Sequence, residues 1–205
     1  YLNHLFVILM IFKLKRFVNN IKKKILSKKL YMLGENSVIE TGGTIENLSE
    51  NPSKIVIGKN CVIKGKLLVF AHQGEIIIGD NCFIGERTEI WSSAKIKIGN
   101  NVQVSHNVNI MDTDSHPKDP KLRSEHYLEI IKKGHPSSGN IVNNINSKPI
   151  SINDNVWIGH SSSIKKGVDI GNNSIISSNS IVIKNVPKDT IYHNLVEPIF
   201  RKLIF

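Results

Sequence analysis

The aliphatic positions of the C-terminal third of the chain recur every six residues. Ile or Val stands at Ile152, Ile158, Ile164, Ile170, Ile176 and Val182. Two positions before each of the last five stands a small or β-branched residue: Val156, Ser162, Val168, Ser174 and Ser180. Gly follows the aliphatic at Gly159 and Gly171. An α-helix repeats every 3.6 residues and a half-buried strand every two, so neither explains the pattern. A strict six-residue period predicts a solenoid in which each rung is one short strand and one corner. The aliphatic points into a prism-shaped interior, and the small residue points inward near the corner, where space is tight. Three rungs close one triangular coil, and coils stack with parallel strands about 4.8 Å apart. The expected fold class is therefore an all-β solenoid, the left-handed parallel β-helix, an exception to the usual right-handed crossover.

The same pattern extends back to Ile39, through the pairs Ser37–Ile39 and Gly43–Ile45. Asn47 to Ser53 breaks it and reads as a loop; Ile57 and Ile63 resume it, with a short excursion around Ala71–Gly74. Ile78, Ile84, Ile90 and Ile96 follow, and the register then slips by two to Ile98, Val104 and Ile110. Asn and Asp at the corners (Asn153, Asp154, Asn155, Asn172, Asn173) tolerate left-handed backbone angles. The β-helix domain is thus expected over residues 35–201, with one long loop insertion over 112–150. That insertion is polar, carries His116, His126 and His135, and holds Pro117, Pro120, Pro136 and Pro149. A loop of this length inside a compact fold is either functional or disordered. Pro187 is expected to stop the strand pattern, leaving residues 187–205 as a tail packed on the last coil.

Residues 1–34 read as a separate basic amphipathic helix. Leu5 to Phe12 is apolar, and eight Lys and Arg residues follow with Leu14, Phe17, Val18, Ile21 and Ile25 at helical spacing. The apolar run is shorter than the roughly 20 residues a spanning helix needs. Two readings stand side by side: a helix lying on an anionic membrane surface, or a helix capping the open end of the solenoid. The net charge of +10 draws much of its excess from this segment, and no aromatic stacking platform accompanies it, so nucleic acid is not the expected partner. Cys61 and Cys82 occupy small inward positions of their hexads and read as buried hydrophobes in a reducing compartment, not as a disulfide or metal pair.

The segment Asn155–Val156–Trp157–Ile158–Gly159, with Gly167–Val168, Ile170–Gly171, Ser180–Ile181–Val182, Lys184 and Pro187, resembles the C-terminal half of hexapeptide-repeat acetyltransferases of the galactoside, maltose and xenobiotic type. Asn107 to Pro117 resembles their catalytic-histidine segment. Its Asp-x-Asp-x-His form looks more like the O-acetyltransferases of capsule, lipo-oligosaccharide and sialic-acid-containing polysaccharides. The acceptor-recognising Asn and Asp of galactoside enzymes fall near Gly85 and Ser93 here, a departure from a simple galactoside acceptor.

The resemblance implies acetyl-CoA as co-substrate, no metal, and a homotrimer with its active sites between subunits. Acetyl transfer to an alcohol needs a base for the hydroxyl proton, donors for the oxyanion and a shared meeting point. His116 is the expected base, since imidazole titrates near neutral pH. Trp157 is expected in the active-site groove against the thioester arm, and the backbone N–H of His160 as oxyanion donor. Gly159, Ser178, Ile183, Lys184 and Arg201 fall where the family contacts pantetheine and nucleotide phosphates. Asp112 and Asp114 either orient His116, or bind acceptor hydroxyls, or form a plain Asp-rich turn. The expected activity is acetyl-CoA-dependent O-acetylation of a cell-surface glycan or its precursor, in the cytoplasm at the inner membrane face. The alternative is N-acetylation of an amino sugar or nucleotide-linked amino sugar.

Overall fold

The structure is a computed structural model that describes residues 30–71, 74–135 and 145–194. Residues 1–29 of the basic helix expected over 1–34, and residues 195–205 of the tail expected over 187–205 with Arg201 among them, lie outside the described residues.

The hexads fold as their spacing requires, among the described residues into nineteen short strands in three parallel sheets that form the faces of a prism. The first face holds β1 (Met32–Leu33), β4 (Ile55–Ile57), β7 (Ile76–Ile78), β10 (Ile96–Ile98), β13 (Ile150–Ile152) and β16 (Asp169–Ile170). The second holds β2 (Val38–Ile39), β5 (Val62–Ile63), β8 (Phe83–Ile84), β11 (Gln103–Val104), β14 (Trp157–Ile158), β17 (Ile175–Ile176) and β19 (Ile191–Tyr192). The third holds β3 (Thr44–Asn47), β6 (Lys66–Val69), β9 (Glu89–Ser92), β12 (Asn109–Met111), β15 (Ser163–Lys165) and β18 (Ile181–Val182). The chain visits the three faces in turn and comes back to the first one coil higher. This is the left-handed parallel β-helix.

The core is a set of aliphatic columns. Ile57, Ile78, Ile98 and Ile152 stand in register one above another and are buried. Each such side chain contributes about 1.5–3 kcal/mol on leaving water. On the first face β4, β7, β10 and β13 have three residues with both ends turned inward, so Ile96 and Ile98 are both buried. That accounts for the two-residue slip in the pattern. Cys61 and Cys82 are buried free thiols in the small inward positions. Cys61 donates to Gly79 O at 3.1 Å, and burial pushes the Cys82 thiol up to about 12.

One corner, between the first and second faces, is a ladder of left-handed asparagines. Asn60, Asn81, Asn101, Asn155 and Asn173 have φ of 56°, 58°, 56°, 59° and 59°. Each Nδ2 donates to the side-chain oxygen of the next coil, from Asn60→Asn81 at 3.1 Å to Asn173→Asp189 at 2.7 Å. Asn tolerates this backbone better than most residues, and stacking satisfies its amide.

Three boundaries differ from expectation. Met32–Leu33 is already the first strand, so the solenoid begins inside the stretch expected to be helix. The pattern also continues past Pro187: Val186 bridges Ile170 and β19 pairs with β17. Pro187 sits at the corner between them, where no ladder N–H is required. Lastly, the insertion is not all loop but contains a helix, α1 (Pro120–Lys133). Asp119 caps it by accepting from Leu122 N at 2.9 Å, Pro120 occupies the first turn, and Gly134 ends it at φ 82°. These start and stop signals lie within the polar stretch that carries no six-residue period.

Candidate active site

The insertion leaves the prism at the corner between the third and first faces, after β12. It is closed at its base by an antiparallel bridge between Thr113 and Ser147 and by Lys148 N donating to Asp112 O at 2.8 Å. Immediately beyond, the backbone folds into a tight turn. Ser115 takes φ 64° and donates its N–H to Thr113 Oγ1 at 3.2 Å, and His116 N donates to Asp114 O at 2.8 Å. The turn aims the His116 ring at α1. There Nδ1 of His116 lies 3.1 Å from Nδ1 of His126, with ring centroids 5.2 Å apart and ring planes at 66°. His126 is the buried residue of α1. Beside the pair is a cavity of about 100 Å³, walled by Phe70 and Trp91 from the solenoid, Ile130 from α1, and Thr113 below. Trp91 Nε1 is buried and has no hydrogen-bond partner among the described residues.

Asp112 is placed otherwise than an acceptor-facing residue would be. It is fully buried, and its carboxylate accepts from Ser92 Oγ at 2.7 Å, Ser93 N at 2.7 Å and Ala94 N at 3.0 Å. It therefore ties the start of the insertion to the corner of the coil beneath. Burial raises its pKa, and these donors hold it down only in part. Asp114 reaches the solenoid instead: one oxygen pairs with Lys166, just past β15, and the other is buried without a partner among the described residues.

The remaining expected residues lie on other parts of the prism. Trp157 stands outward on the second face, 47% exposed, with Nε1 donating to Ser105 Oγ at 3.2 Å. Gly159 and His160 follow at the corner between the second and third faces. Ser178 sits one coil above, so close that a Cβ on Gly159 would lie 2.5 Å from Ser178 N. The His160 ring stacks on His106 at 5.1 Å and 3°. Ile183 is 65% exposed and Lys184 is exposed, both just past β18. At Gly85, a Cβ would lie 2.6 Å from Ser105 C, so no larger side chain fits that position.

The structure thus gathers the expected residues into two groups. His116 belongs to the corner between the third and first faces. Trp157, Gly159, His160 and Ser178 belong to the second face and its far corner. The sequence reading missed His126, Trp91 and Phe70 as partners of His116. The cap signals of α1 would have placed His126 on a helix, but nothing in the spacing shows which face of that helix meets His116. Among the described residues no three His, Cys, Asp or Glu side chains converge as a metal site would require.

Two family profiles match the coils on either side of the insertion. The profile described as bacterial transferase hexapeptide (six repeats) matches residues 149–184, and that described as hexapeptide repeat of succinyl-transferase matches residues 75–111. Galactoside O-acetyltransferase of Escherichia coli K12 is 32% identical over 66% of this chain and 57% of its own length, so the chain spans little more than half of that relative. WbbJ of the same organism, whose name assigns it to lipopolysaccharide biosynthesis O-acetyl transfer, is 27% identical over 72% of this chain and 82% of its own. The N-acyltransferase AntD of Bacillus cereus superposes with a TM-score of 0.61 at 20% identity, covering 83% of this chain and 82% of that one, a likeness of fold. With its repeats and its prism, the chain carries transferase hexapeptide repeats and is similar to hexapeptide-repeat acetyltransferases.

Proposed function

We propose that the protein transfers an acetyl group from acetyl-CoA to a hydroxyl of a surface glycan or its precursor, with His116 as general base. The observation that carries this reading is the placement of His116: a turn-locked imidazole opens on a small cavity with two aromatic walls, Phe70 and Trp91. Aromatic faces suit the apolar side of a sugar ring. The unpartnered Trp91 N–H suits a hydroxyl group that would complete it. In the reaction, His116 takes the hydroxyl proton as the oxygen attacks the thioester carbon. The C–O bond forms, the C–S bond breaks, and the proton passes from His116 to the departing thiolate. General-base assistance of this kind is worth about 10²–10⁴-fold.

The second group supplies a fitting surface for the donor. Trp157 and Ile183 offer exposed apolar area for the pantetheine arm, Ser178 a hydroxyl, and Lys184 a cation for phosphate. The N–H of His160 is the proposed oxyanion donor. Because the two groups occupy different corners of one prism, a complete site needs a second copy. The second face is suited to such packing. Its outward residues stand in register as Val38, Val62, Phe83, Gln103, Trp157, Ile175 and Ile191, apolar at all but one position. Three copies around a threefold axis, each bringing its second face to the third–first corner of the next, would set Trp157 of one copy across the donor groove from His116 of its neighbour. Working at the inner face of the membrane, through the basic segment before residue 30, would bring the enzyme to lipid-linked glycans. Among the described residues no helix is long and apolar enough to cross a membrane.

The test is acetyl-CoA turnover followed by free thiol, wild type against His116→Ala, with sialylated and other hydroxyl-bearing glycans beside amino sugars. Consumption of a hydroxyl acceptor, abolished by His116→Ala, is the expected result. Turnover of amino sugars alone would replace O- by N-transfer, and a fully active His116→Ala would remove the base assignment.

A further inference from the structure

We infer that His126 is a positioning residue for His116, holding its imidazole in the tautomer that leaves Nε2 free to take a proton. This rests on the reading of His116 as the base.

The geometry narrows the choices. The two Nδ1 atoms are 3.1 Å apart, a hydrogen-bond distance between two ring nitrogens. One must carry the hydrogen and the other must present a lone pair, since two lone pairs or two N–H groups at that distance repel. If His116 Nδ1 carries it, Nε2 of His116 is unprotonated and can act as base. If His126 Nδ1 carries it, Nε2 of His116 holds the hydrogen and cannot accept the hydroxyl proton. Only the first arrangement is competent, and it requires His126 to be an acceptor at Nδ1, protonated on Nε2.

The setting of His126 is that of a residue held for its contact with His116. On a helix whose Leu122, Tyr127, Leu128 and Ile131 are all exposed, the side chain turned inward and buried is an imidazole. Helix burial normally selects aliphatic residues for that place. The buried ring meets His116 edge-on, at 66°, with the two Nδ1 atoms at hydrogen-bond distance. The helix itself is fixed at both ends by Asp119 and Gly134. The insertion therefore carries both members of the pair: the base on its entry turn and the orienting partner on its helix. When His116 takes the proton at Nε2, its Nδ1–H remains bonded to His126, and the positive charge formed during transfer meets a lone pair at that nitrogen. No bond is made or broken at His126, and it gains no proton.

The experiment is long-range ¹H–¹⁵N NMR of the full chain labelled at histidine, in wild type, His126→Asn and His126→Leu. Asn places Oδ1 where Nδ1 stood and can accept from His116; Leu cannot. The expected wild-type spectrum shows His116 protonated on Nδ1 and His126 on Nε2. His126→Asn keeps the His116 signal, and His126→Leu shifts it toward the mixture of tautomers seen in free imidazole. In acetyl-CoA turnover with the acceptor chosen by the panel above, His126→Leu lowers kcat by about 10²-fold at little changed KM, and His126→Asn restores most of it. A wild-type His116 protonated on Nε2, or a His126→Leu spectrum equal to wild type, overturns the inference. Loss of kcat in both variants alike assigns His126 a purely structural place and overturns it too. The expected tautomers together with a fully active His116→Ala would instead remove the base reading and leave the pair standing.

Discussion

Asn101 donates Nδ2 to Asn155 Oδ1 at 3.1 Å across 54 positions of sequence, whereas the steps below and above it span 20 and 18. The ladder passes the insertion without a break in its geometry. The prism is therefore continuous, and the insertion is an addition at another corner.

The ladder also allows its two contributions to be separated. Asn101 holds φ 56° and one amide bond to each neighbouring coil. Asn101→Ala loses the bonds and strains the left-handed backbone; Asn101→Gly loses the bonds alone. Strain of this kind costs about 1–2 kcal/mol and a net hydrogen bond about 0.5–1.5 kcal/mol. Urea unfolding should rank wild type above Asn101→Gly, and Asn101→Gly above Asn101→Ala.

Continuity of the prism makes the insertion separable from the fold. Replacing residues 118–144 by a short Gly-Ser linker keeps Asp112, Thr113, His116 and the Thr113–Ser147 bridge. Closing a shorter loop changes stability by only about 1 kcal/mol. The excised protein should keep its β-sheet circular dichroism and its unfolding midpoint, while kcat falls by about 10²-fold with the loss of His126. Loss of the sheet signal would instead make the insertion part of the folding unit.

Asp112 links stability to pH. Its pKa is raised in the folded chain because burial outweighs the donors Ser92, Ser93 and Ala94. The folded state therefore holds the proton more tightly than the unfolded one, and stability at this site falls as pH rises through the folded value. Asp112→Asn has no such titration and leaves a donor facing the Ala94 N–H, a mismatch costing about 1–3 kcal/mol. In urea titrations between about pH 4 and pH 7, wild type should exceed Asp112→Asn most at the acid end, with the gap narrowing as pH rises.

Much of this molecule was legible because a six-residue period has few structural explanations. The columns through Ile152 and Ile170, the small inward Cys61 and Cys82 and the left-handed corners at Asn155 and Asn173 follow from it, whereas Asn153, Asp154 and Asn172, expected at the same corners, do not take positive φ. The insertion was not legible in the same way. Its helix is governed by a cap, a first-turn proline and a terminal glycine, signals that a hexad search passes over. Asp112 shows a second limit: an Asp two residues from another Asp looks like a ligand pair, and only three-dimensional burial shows its carboxylate engaged by Ser92, Ser93 and Ala94. The pairing of His116 with His126 depends on how the helix docks, which no local spacing encodes. Gly85 was the reverse case, where a departure from the galactoside pattern has a steric reason in the backbone of Ser105.

The division of the candidate site between two corners of the prism gives the most direct test of its assembly. If His116 of one copy works with Trp157 of the next, His116→Ala and Trp157→Ala lie on opposite sides of each shared site. Each variant alone should be impaired, the first as a lost base and the second as a lost wall for the donor arm. Mixing the two, with dissociation and reassembly of the trimers, creates interfaces at which both residues are intact. With random exchange that occurs at roughly a quarter of the sites in a threefold ring. Turnover of the mixture should rise well above that of either parent, toward roughly a quarter of wild type. Were both residues to act within one copy, mixing could regenerate no intact site, and the mixture would show only the average of its parents. The readout is thiol release before and after exchange, with size-exclusion chromatography to confirm that the trimers have reformed.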